Sequence, residues 1–97
     1  MPKGYVIGQI DVHDPDAYAE YRTHTPASVA EFGGRFLVRG GEMTSLEGEP
    51  PRPRIVVLEF PSVEQAQAWY TSPGYKQLIP IRQGASVGNL FLVSGAD

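Results

Sequence analysis

The sequence predicts an α+β fold of the ferredoxin-like β-α-β-β-α-β type, with two helices on one face of a four-stranded antiparallel sheet. Three observations predict it. Segments with strand and helix patterns alternate in that order along the chain. Each helical segment begins with a capping signal, at Asp14 and at Ser62. Right-handed crossovers between strands then place both helices on the same face of the sheet.

The first strand and the first helix have clear boundaries. Residues 4–12 are rich in β-forming side chains and end at a turn-forming segment. Asp14 is a suitable N-cap, and Pro15 fits the first helical position because its missing N–H costs nothing there. The helix should extend to about Phe32, with a kink or a restart caused by Pro26.

Two pairs of adjacent glycines frame the second strand, residues 35–39 (RFLVR). The first pair ends the helix, as a left-handed C-cap would. The second pair predicts a bulge or bend before a continuation of the strand over residues 42–46. A turn that contains three prolines, residues 47–53, then leads to the third strand, residues 54–60 (RIVVLEF).

The remaining part of the chain contains the second helix and the last strand. Ser62 and Gln65 have the Ser-x-x-Gln spacing of a capping box, so a helix should begin there. A Ser-Pro pair at residues 72–73 ends this helix and caps a short further one over residues 74–79. Residues 87–94 (VGNLFLVS) form the final strand.

The strands predict a sheet that is covered on both faces. Residues 55–58 (IVVL) and 90–93 (LFLV) are continuous apolar runs, which are typical of strands buried on both sides. Two helices can cover only one face, so the apolar residues of the other face would remain in water. Because burial stabilises apolar surface by about 25 cal/mol per Å², a cover for this face is favoured. A C-terminal segment is a poor cover, since only three residues follow Ser94. We therefore expect a homodimer in which the second copy covers this face.

The composition limits the possible partners and compartments. The 97 residues, 41% of them hydrophobic, fit one domain over residues 1–97. A net charge of −3 and scattered basic residues argue against a nucleic-acid or an anionic-membrane partner. The lack of cysteine excludes disulfides, thiolate catalysis and zinc–sulfur sites. The sequence shows neither an apolar run of about 20 residues nor the apolar segment of a signal peptide, so we expect a cytoplasmic protein.

The whole chain resembles a known bacterial family. The similarity is carried by residues 33–41 (GGRFLVRGG), 56–62 (VVLEFPS) and 68–75 (AWYTSPGY). The opening PKGY and the DPDAYAEY segment of the first helix extend it. These motifs resemble the family of domains of unknown function numbered thirteen-thirty, within the dimeric α+β-barrel superfamily. Gly74, where the family more often has Glu, departs from the pattern.

The resemblance implies a homodimer in which two sheets face each other and form a barrel. It implies no particular reaction, because the family has no settled activity. Related branches of the superfamily include cofactor-independent monooxygenases, lactone isomerases, haem enzymes that decompose dyes or chlorite, and stress-response proteins. A shared fold therefore does not fix the function.

Arg39 and Glu59 are the charged residues whose predicted positions bear most on function. Strand alternation puts Arg35, Leu37 and Arg39 on one face of the second strand. Glu59 lies on the third strand, where antiparallel pairing could bring it near Arg39. One interpretation is a buried ion pair that has a structural role only. The other is that Arg39 anchors a carboxylate or enolate ligand through two hydrogen bonds.

Aromatic and basic side chains predict a cleft between the helices and the sheet. Tyr21 and Tyr75 are candidates to point a hydroxyl into this cleft, and the alternative for both is core packing. Arg82 could close the rim of the cleft, and the alternative is a solvated arginine. His24 is a candidate general base, although a single helical histidine also fits a half-exposed packing residue. His13 and His24 fit no metal pattern, and we expect no cofactor.

These residues predict a homodimer that binds a small acidic or aromatic metabolite. If the protein is an enzyme, the expected class is a cofactor-free isomerase or monooxygenase-like enzyme. His24 would then act as base and Arg39 would stabilise developing negative charge. The rival interpretation is a non-catalytic module, either a ligand-binding sensor or a structural dimer. An open cleft beside Arg39 favours binding, whereas a solid interior with Arg39 paired to Glu59 favours the structural role.

Overall fold

The computed structural model describes residues 2–96 and has the predicted order of elements. Its strands are β1 (Gly4–Val12), β2 (Arg35–Arg39), β3 (Arg54–Phe60) and β4 (Ser86–Ser94), and its helices are α1 (Pro15–Glu31), α2 (Val63–Thr71), α3 (Pro73–Lys76) and α4 (Ile79–Ala85). The strands pair antiparallel in the order β2-β3-β1-β4, which confirms the predicted sheet. Within the described range, the helices are too short or too polar to cross a membrane.

The ends of α1 form as the sequence predicts. The Asp14 side chain accepts a hydrogen bond from the N–H of Ala17 at 3.2 Å. Beyond the helix, Gly33 has a φ of 76°, a conformation that glycine adopts without the steric cost of a side chain. The predicted restart near Pro26 does not occur, because α1 continues through Pro26 to Glu31.

Two connecting segments differ from the prediction. The expected continuation of β2 over residues 42–46 is absent, because Gly40 turns the chain away with a φ of 69° after donating its N–H to the Ile55 carbonyl. The short helix predicted over residues 74–79 is divided: α3 ends at Lys76, and α4 begins at Ile79. Pro80 is compatible with α4 because it lies in the first turn, where an N–H has no helical partner.

The core lies between the helices and one face of the sheet. Phe60, Trp69 and Tyr75 are almost completely buried, and the Trp69 ring lies 5.4 Å from that of Phe60 and 4.0 Å from that of Tyr75. The indole N–H of Trp69 donates to the Ser28 hydroxyl at 3.1 Å, so this buried donor has a partner. The aromatic stack holds α1, α2 and α3 against β3.

The opposite face of the sheet is uncovered in the single chain. Val38, Val57, Ile7 and Phe91 are successive cross-strand partners and form an apolar row across all four strands. Val38 is 38% exposed and Phe91 is 40% exposed. The helices thus leave an apolar face in contact with solvent, as the sequence predicts.

Candidate functional site

A β-bulge in β2 turns Arg39 toward the helices. The register between β2 and β3 shifts between Phe36 and Val38, which makes Leu37 an extra residue in the strand. Because side chains alternate along a strand, the extra residue brings Arg39 to the same side as Phe36. The prediction that Arg39 shares a face with Arg35 is therefore wrong.

Glu59 lies on the open face and bonds to other partners than Arg39. Arg35 Nε donates to Glu59 Oε1 at 2.9 Å, the Tyr5 hydroxyl donates to Oε2 at 3.0 Å, and Lys3 Nζ lies 3.5 Å from Oε1. The hydrogen bonds from Tyr5 and Arg35 lower the pKa of the Glu59 carboxyl. The predicted pairing of Arg39 with Glu59 is wrong, because the bulge separates the two side chains onto opposite faces.

A cleft lies between α1 and the helix-facing side of the sheet. Its polar and aromatic lining residues are Tyr18, Tyr21, Arg22, Thr25, Phe36, Arg39, Arg54, Trp69 and Arg82. Gly8 lies on the floor without a side chain, where an added Cβ would meet Leu90 Cδ1 at 3.2 Å. The free volume is about 30 Å³, which holds about one water molecule. The cleft is therefore formed but nearly closed.

Four of the six arginines of the chain converge on this cleft: Arg22, Arg39, Arg54 and Arg82. No aspartate or glutamate is among its lining residues. Both ion pairs found within residues 2–96 belong to Glu59 on the other face, so no acid in that range pairs with these arginines. The basic residues are scattered along the sequence but gathered in the fold. They create local positive charge in a chain whose net charge is −3.

Arg39 and Arg54 form the outer part of the cleft. Arg39 Nη2 donates to the main-chain carbonyl of Arg22 at 2.8 Å, and its Cζ lies 4.7 Å from the ring centroid of Phe36. Arg54 Cζ lies 5.3 Å from the ring centroid of Tyr18. Within residues 2–96, the buried Nε of Arg54 has no hydrogen-bond partner. A buried donor without a partner costs about 1–3 kcal/mol, so an acceptor in the cleft would stabilise this arrangement.

The inner end of the cleft contains a chain of three hydrogen-bonded residues. The hydroxyl oxygens of Tyr21 and Tyr75 are 2.7 Å apart, and Arg82 Nη1 donates to the Tyr75 hydroxyl at 2.7 Å. All three residues are buried. Burial raises the pKa of both tyrosine hydroxyls, so they remain protonated at neutral pH. Burial alone would lower the pKa of Arg82, but the tyrosines outweigh it and raise that pKa.

His24 lies outside the cleft. It is exposed and lines a separate concavity between α1 and the α3–α4 segment, together with Glu20 and Glu31. The position three residues after Tyr21 is rotated by about 60° around the helix, which turns the imidazole away from the sheet. The predicted grouping of His24 with Tyr21 and Arg39 is therefore wrong. Within residues 2–96 there is no group of three or more His, Cys, Asp or Glu residues that could hold a metal ion.

The structure brings the other four predicted site residues together. Tyr21, Arg39 and Arg82 line the cleft. Tyr75 lies behind them and forms hydrogen bonds with Tyr21 and Arg82. Arg22 and Arg54 were not predicted as site residues. Two signals could have found them: Arg22 follows Tyr18 by one helical turn, and Arg54 faces Arg39 across the β2–β3 connection.

Comparison with known sequences gives a match to a family profile. The profile described as Domain of unknown function (DUF1330) matches residues 3–96. No curated protein matches the chain. The family resemblance drawn from the sequence motifs is confirmed.

Solved structures from other organisms have a similar fold, and three of them are compared with this chain. The RPA0582 protein of unknown function from Rhodopseudomonas palustris has a TM-score of 0.77 at 19% identity, over 99% of this chain and 84% of that chain. SnoaB, a cofactor-independent oxygenase from Streptomyces nogalater, has a TM-score of 0.63 at 14% identity, over 100% and 96%. A conserved protein from Methanosarcina mazei Go1 has a TM-score of 0.57 at 14% identity, over 99% and 95%. These likenesses show a shared fold.

Proposed function

The chain belongs to the DUF1330 family of domains of unknown function, and we propose that it binds a small organic anion with an aromatic or conjugated body in the cleft under α1. The observation that carries this proposal is the convergence of four arginines without an acidic partner. Like charges that are held close together repel one another, and a bound anion would relieve that repulsion.

The outer arginines fit a carboxylate. Arg39 and Arg54 reach the helix-facing side from adjacent strands, and a guanidinium presents paired N–H groups that match the two oxygens of a carboxylate. The buried Nε of Arg54 gains the acceptor that it lacks within residues 2–96. A carboxylate at the mouth therefore satisfies both a charge and a hydrogen bond.

The walls of the cleft fit a flat, apolar body. Phe36 and Tyr18 lie beneath the two outer guanidinium groups, and Tyr21 and Trp69 continue the aromatic surface inward. Aromatic rings contribute large contact areas and prefer offset-stacked or edge-to-face packing with other rings. The ligand class that combines these features is a small aromatic or conjugated acid.

Ligand entry requires a rearrangement of side chains at the mouth. The free volume of about 30 Å³ is smaller than such a ligand. Arg22 and Arg39 are exposed, and the hydrogen bond between the Arg39 guanidinium and the Arg22 carbonyl spans the mouth. Exposed side chains change rotamer within picoseconds to nanoseconds, so this movement is rapid. A guanidinium has five N–H donors, so after this movement Arg39 can bind the anion while its Nη2 bonds again to the Arg22 carbonyl.

A cofactor-free isomerase or monooxygenase-like activity is the second candidate function. It is supported by the fold shared with SnoaB and by buried hydroxyl and guanidinium donors that could stabilise an enolate. The position of His24 outside the cleft gives no support to its role as base. A non-catalytic sensor would bind the same ligands without turnover, and a purely structural dimer would bind none.

We also propose that the open face of the sheet pairs with a second copy of the chain. The apolar row of Val38, Val57, Ile7 and Phe91 supports this, because surface of that kind is stabilised by about 25 cal/mol for each Å² removed from water. The cleft lies on the other side of the sheet, so a dimer of this kind leaves its mouth open to ligands.

Binding of benzoate tests the proposed function, with benzamide as a neutral probe of the same shape. We expect benzoate to raise the melting temperature and to bind measurably in calorimetry, and benzamide to bind much more weakly. Arg39→Gln and Arg54→Gln should each weaken benzoate binding by about 10- to 100-fold, because a charge-assisted hydrogen bond contributes about 1.5–3 kcal/mol.

Arg52→Gln is the matched control, since it removes the same charge from a residue in the proline-containing turn outside the cleft. It should leave the benzoate affinity within about twofold of the wild type. Equal binding of benzoate and benzamide, or equal effects of all three substitutions, would exclude the cleft as an anion site.

A further inference from the structure

The hydrogen-bond chain at the inner end of the cleft has a direction that follows from counting hydrogens. Arg82 has donors only, so the Tyr75 oxygen accepts the bond between them. The two tyrosines have two hydroxyl hydrogens, and one of these lies between their oxygens. One hydroxyl hydrogen therefore remains for a partner beyond these three residues.

The burial of the two tyrosines decides which hydroxyl has the free hydrogen. Tyr75 is 0% exposed and is not among the lining residues of the cleft, whereas Tyr21 lines it. A free hydrogen on Tyr75 would be a buried donor without a partner, at a cost of about 1–3 kcal/mol. A free hydrogen on Tyr21 has the cleft in front of it. The favoured order is Arg82 to Tyr75 to Tyr21 to the cleft.

We infer that the Tyr21 hydroxyl donates a hydrogen bond to an oxyanion of the ligand, a phenolate or enolate oxygen at the inner end of the cleft. Tyr75 and Arg82 are positioning residues that act through Tyr21. This inference rests on the proposed binding of an organic anion in the cleft. It adds a second acidic group to the ligand class, at the end opposite the carboxylate.

The environment strengthens the Tyr21 donor. Arg82 is permanently charged, and its bond polarises the Tyr75 hydroxyl, which in turn polarises that of Tyr21. No carboxylate within residues 2–96 pairs with Arg82. Its charge is therefore directed through the tyrosines toward the cleft. Such a donor favours the ionised form of a phenol over its neutral form.

The ionisation of bound 4-nitrophenol tests this inference, because the phenolate form is yellow and the neutral form is colourless. In a titration that follows absorbance against pH, we expect the probe bound to the wild type to ionise at a lower pH than the free probe. Tyr21→Phe should retain binding but raise the pH of ionisation of the bound probe by about one unit, the equivalent of a tenfold change in the ionisation constant.

Two further variants distinguish an effect of the hydrogen-bond chain from an effect of nearby aromatic packing. Tyr75→Phe interrupts the chain while Tyr21 keeps its hydroxyl, and it should raise the pH of ionisation in the same direction. Tyr70→Phe is the control, since Tyr70 packs 5.8 Å from the Tyr75 ring but makes no side-chain hydrogen bond within the described residues. It should change nothing. Circular dichroism establishes that each variant is folded.

The outcomes distinguish the inference from the proposed function. If Tyr21→Phe leaves the ionisation of the bound probe unchanged while Arg39→Gln and Arg54→Gln weaken its binding, the cleft binds anions but Tyr21 is not the donor, and the inference is overturned. If the wild type does not bind benzoate, or if both arginine variants bind it as the wild type does, the proposed function fails, and the inference fails with it. If the wild type binds benzoate but not 4-nitrophenol, the inference alone is overturned.

Discussion

Arg39 donates a hydrogen bond from Nη2 to the main-chain carbonyl oxygen of Arg22, at 2.8 Å. In a regular helix this carbonyl would accept from the N–H four residues later, but that residue is Pro26, which has none. A side chain from β2 thus satisfies the gap that proline leaves in α1. The same contact holds the guanidinium of Arg39 over the mouth of the cleft.

Replacement of Pro26 by alanine should stabilise the protein and weaken anion binding. The new N–H can bond to the Arg22 carbonyl. About 3 kcal/mol is regained in the helix, and the more flexible unfolded chain and the lost Arg39 hydrogen bond each cost about 1 kcal/mol, which leaves about 1 kcal/mol. Arg39 loses its fixed acceptor, so benzoate affinity should fall severalfold. Urea unfolding and calorimetry measure the two effects. Pro15→Ala, at the first position of the same helix, should produce neither, and a less stable Pro26→Ala protein would contradict this explanation.

Glu59 should contribute to the stability of the protein at neutral pH, and this contribution should be lost at acidic pH. Its pKa in the folded state is lowered, so its contribution is complete above the usual pKa of a glutamate, about 4.3, and is lost as the pH falls through the lowered folded value. Glu59→Gln should therefore flatten the decrease in the urea midpoint below about pH 4. Glu20→Gln, at an exposed position of α1, should keep the wild-type slope. Identical slopes in all three proteins would rule out this role.

Ser28 and Trp69 should be coupled in stability. Ser28→Ala leaves the buried indole N–H without its acceptor and should cost about 1–3 kcal/mol in the free energy of unfolding. In the background of Trp69→Phe, which has no indole N–H, the same substitution should cost less. Chemical denaturation of the two single variants and the double variant gives the coupling energy. A coupling near zero would show that the hydrogen bond contributes nothing to stability.

Phe91→Glu should separate the proposed dimer. Phe91 is the β4 member of the apolar row on the open face, and a charge there would be buried without a partner in a sheet-to-sheet interface. Light scattering at micromolar concentration should give the mass of two chains for the wild type and of one for the variant. Leu46→Glu, at a loop residue that is 91% exposed, should remain a dimer. A wild-type protein with the mass of one chain would refute the dimer.

The fold could be predicted from sequence because its signals are local. Asp14 and Ser62 cap their helices as their spacing indicates, with hydrogen bonds to Ala17 and Gln65. The strand boundaries follow from runs of β-forming residues. The division of the predicted short helix at Gln77 and Leu78 has no comparable local signal, and Pro80 fits the first turn of α4.

The site could be predicted only in part, because its geometry depends on contacts between distant residues. No letter of the RFLVR segment marks the extra residue in β2, so alternation placed Arg39 on the wrong face. Arg54 reaches the cleft with Arg39 through the pairing of β2 with β3, and Arg22 joins them only once α1 packs on the sheet. His24 is a candidate base because of its side-chain chemistry, but its position on α1 points it toward a different concavity from the cleft.

The extra residue at Leu37 also affects how chains of this family can be compared. In a relative whose β2 has the same five letters but pairs regularly, the arginine aligned with Arg39 would point to the open face. In a relative whose β2 lacks the extra residue, regular alternation would still point the arginine into the cleft, although the alignment would show a gap beside it. Equivalence between cleft arginines therefore has to be assigned from strand register, since aligned letters alone would match side chains that lie on opposite sides of the sheet.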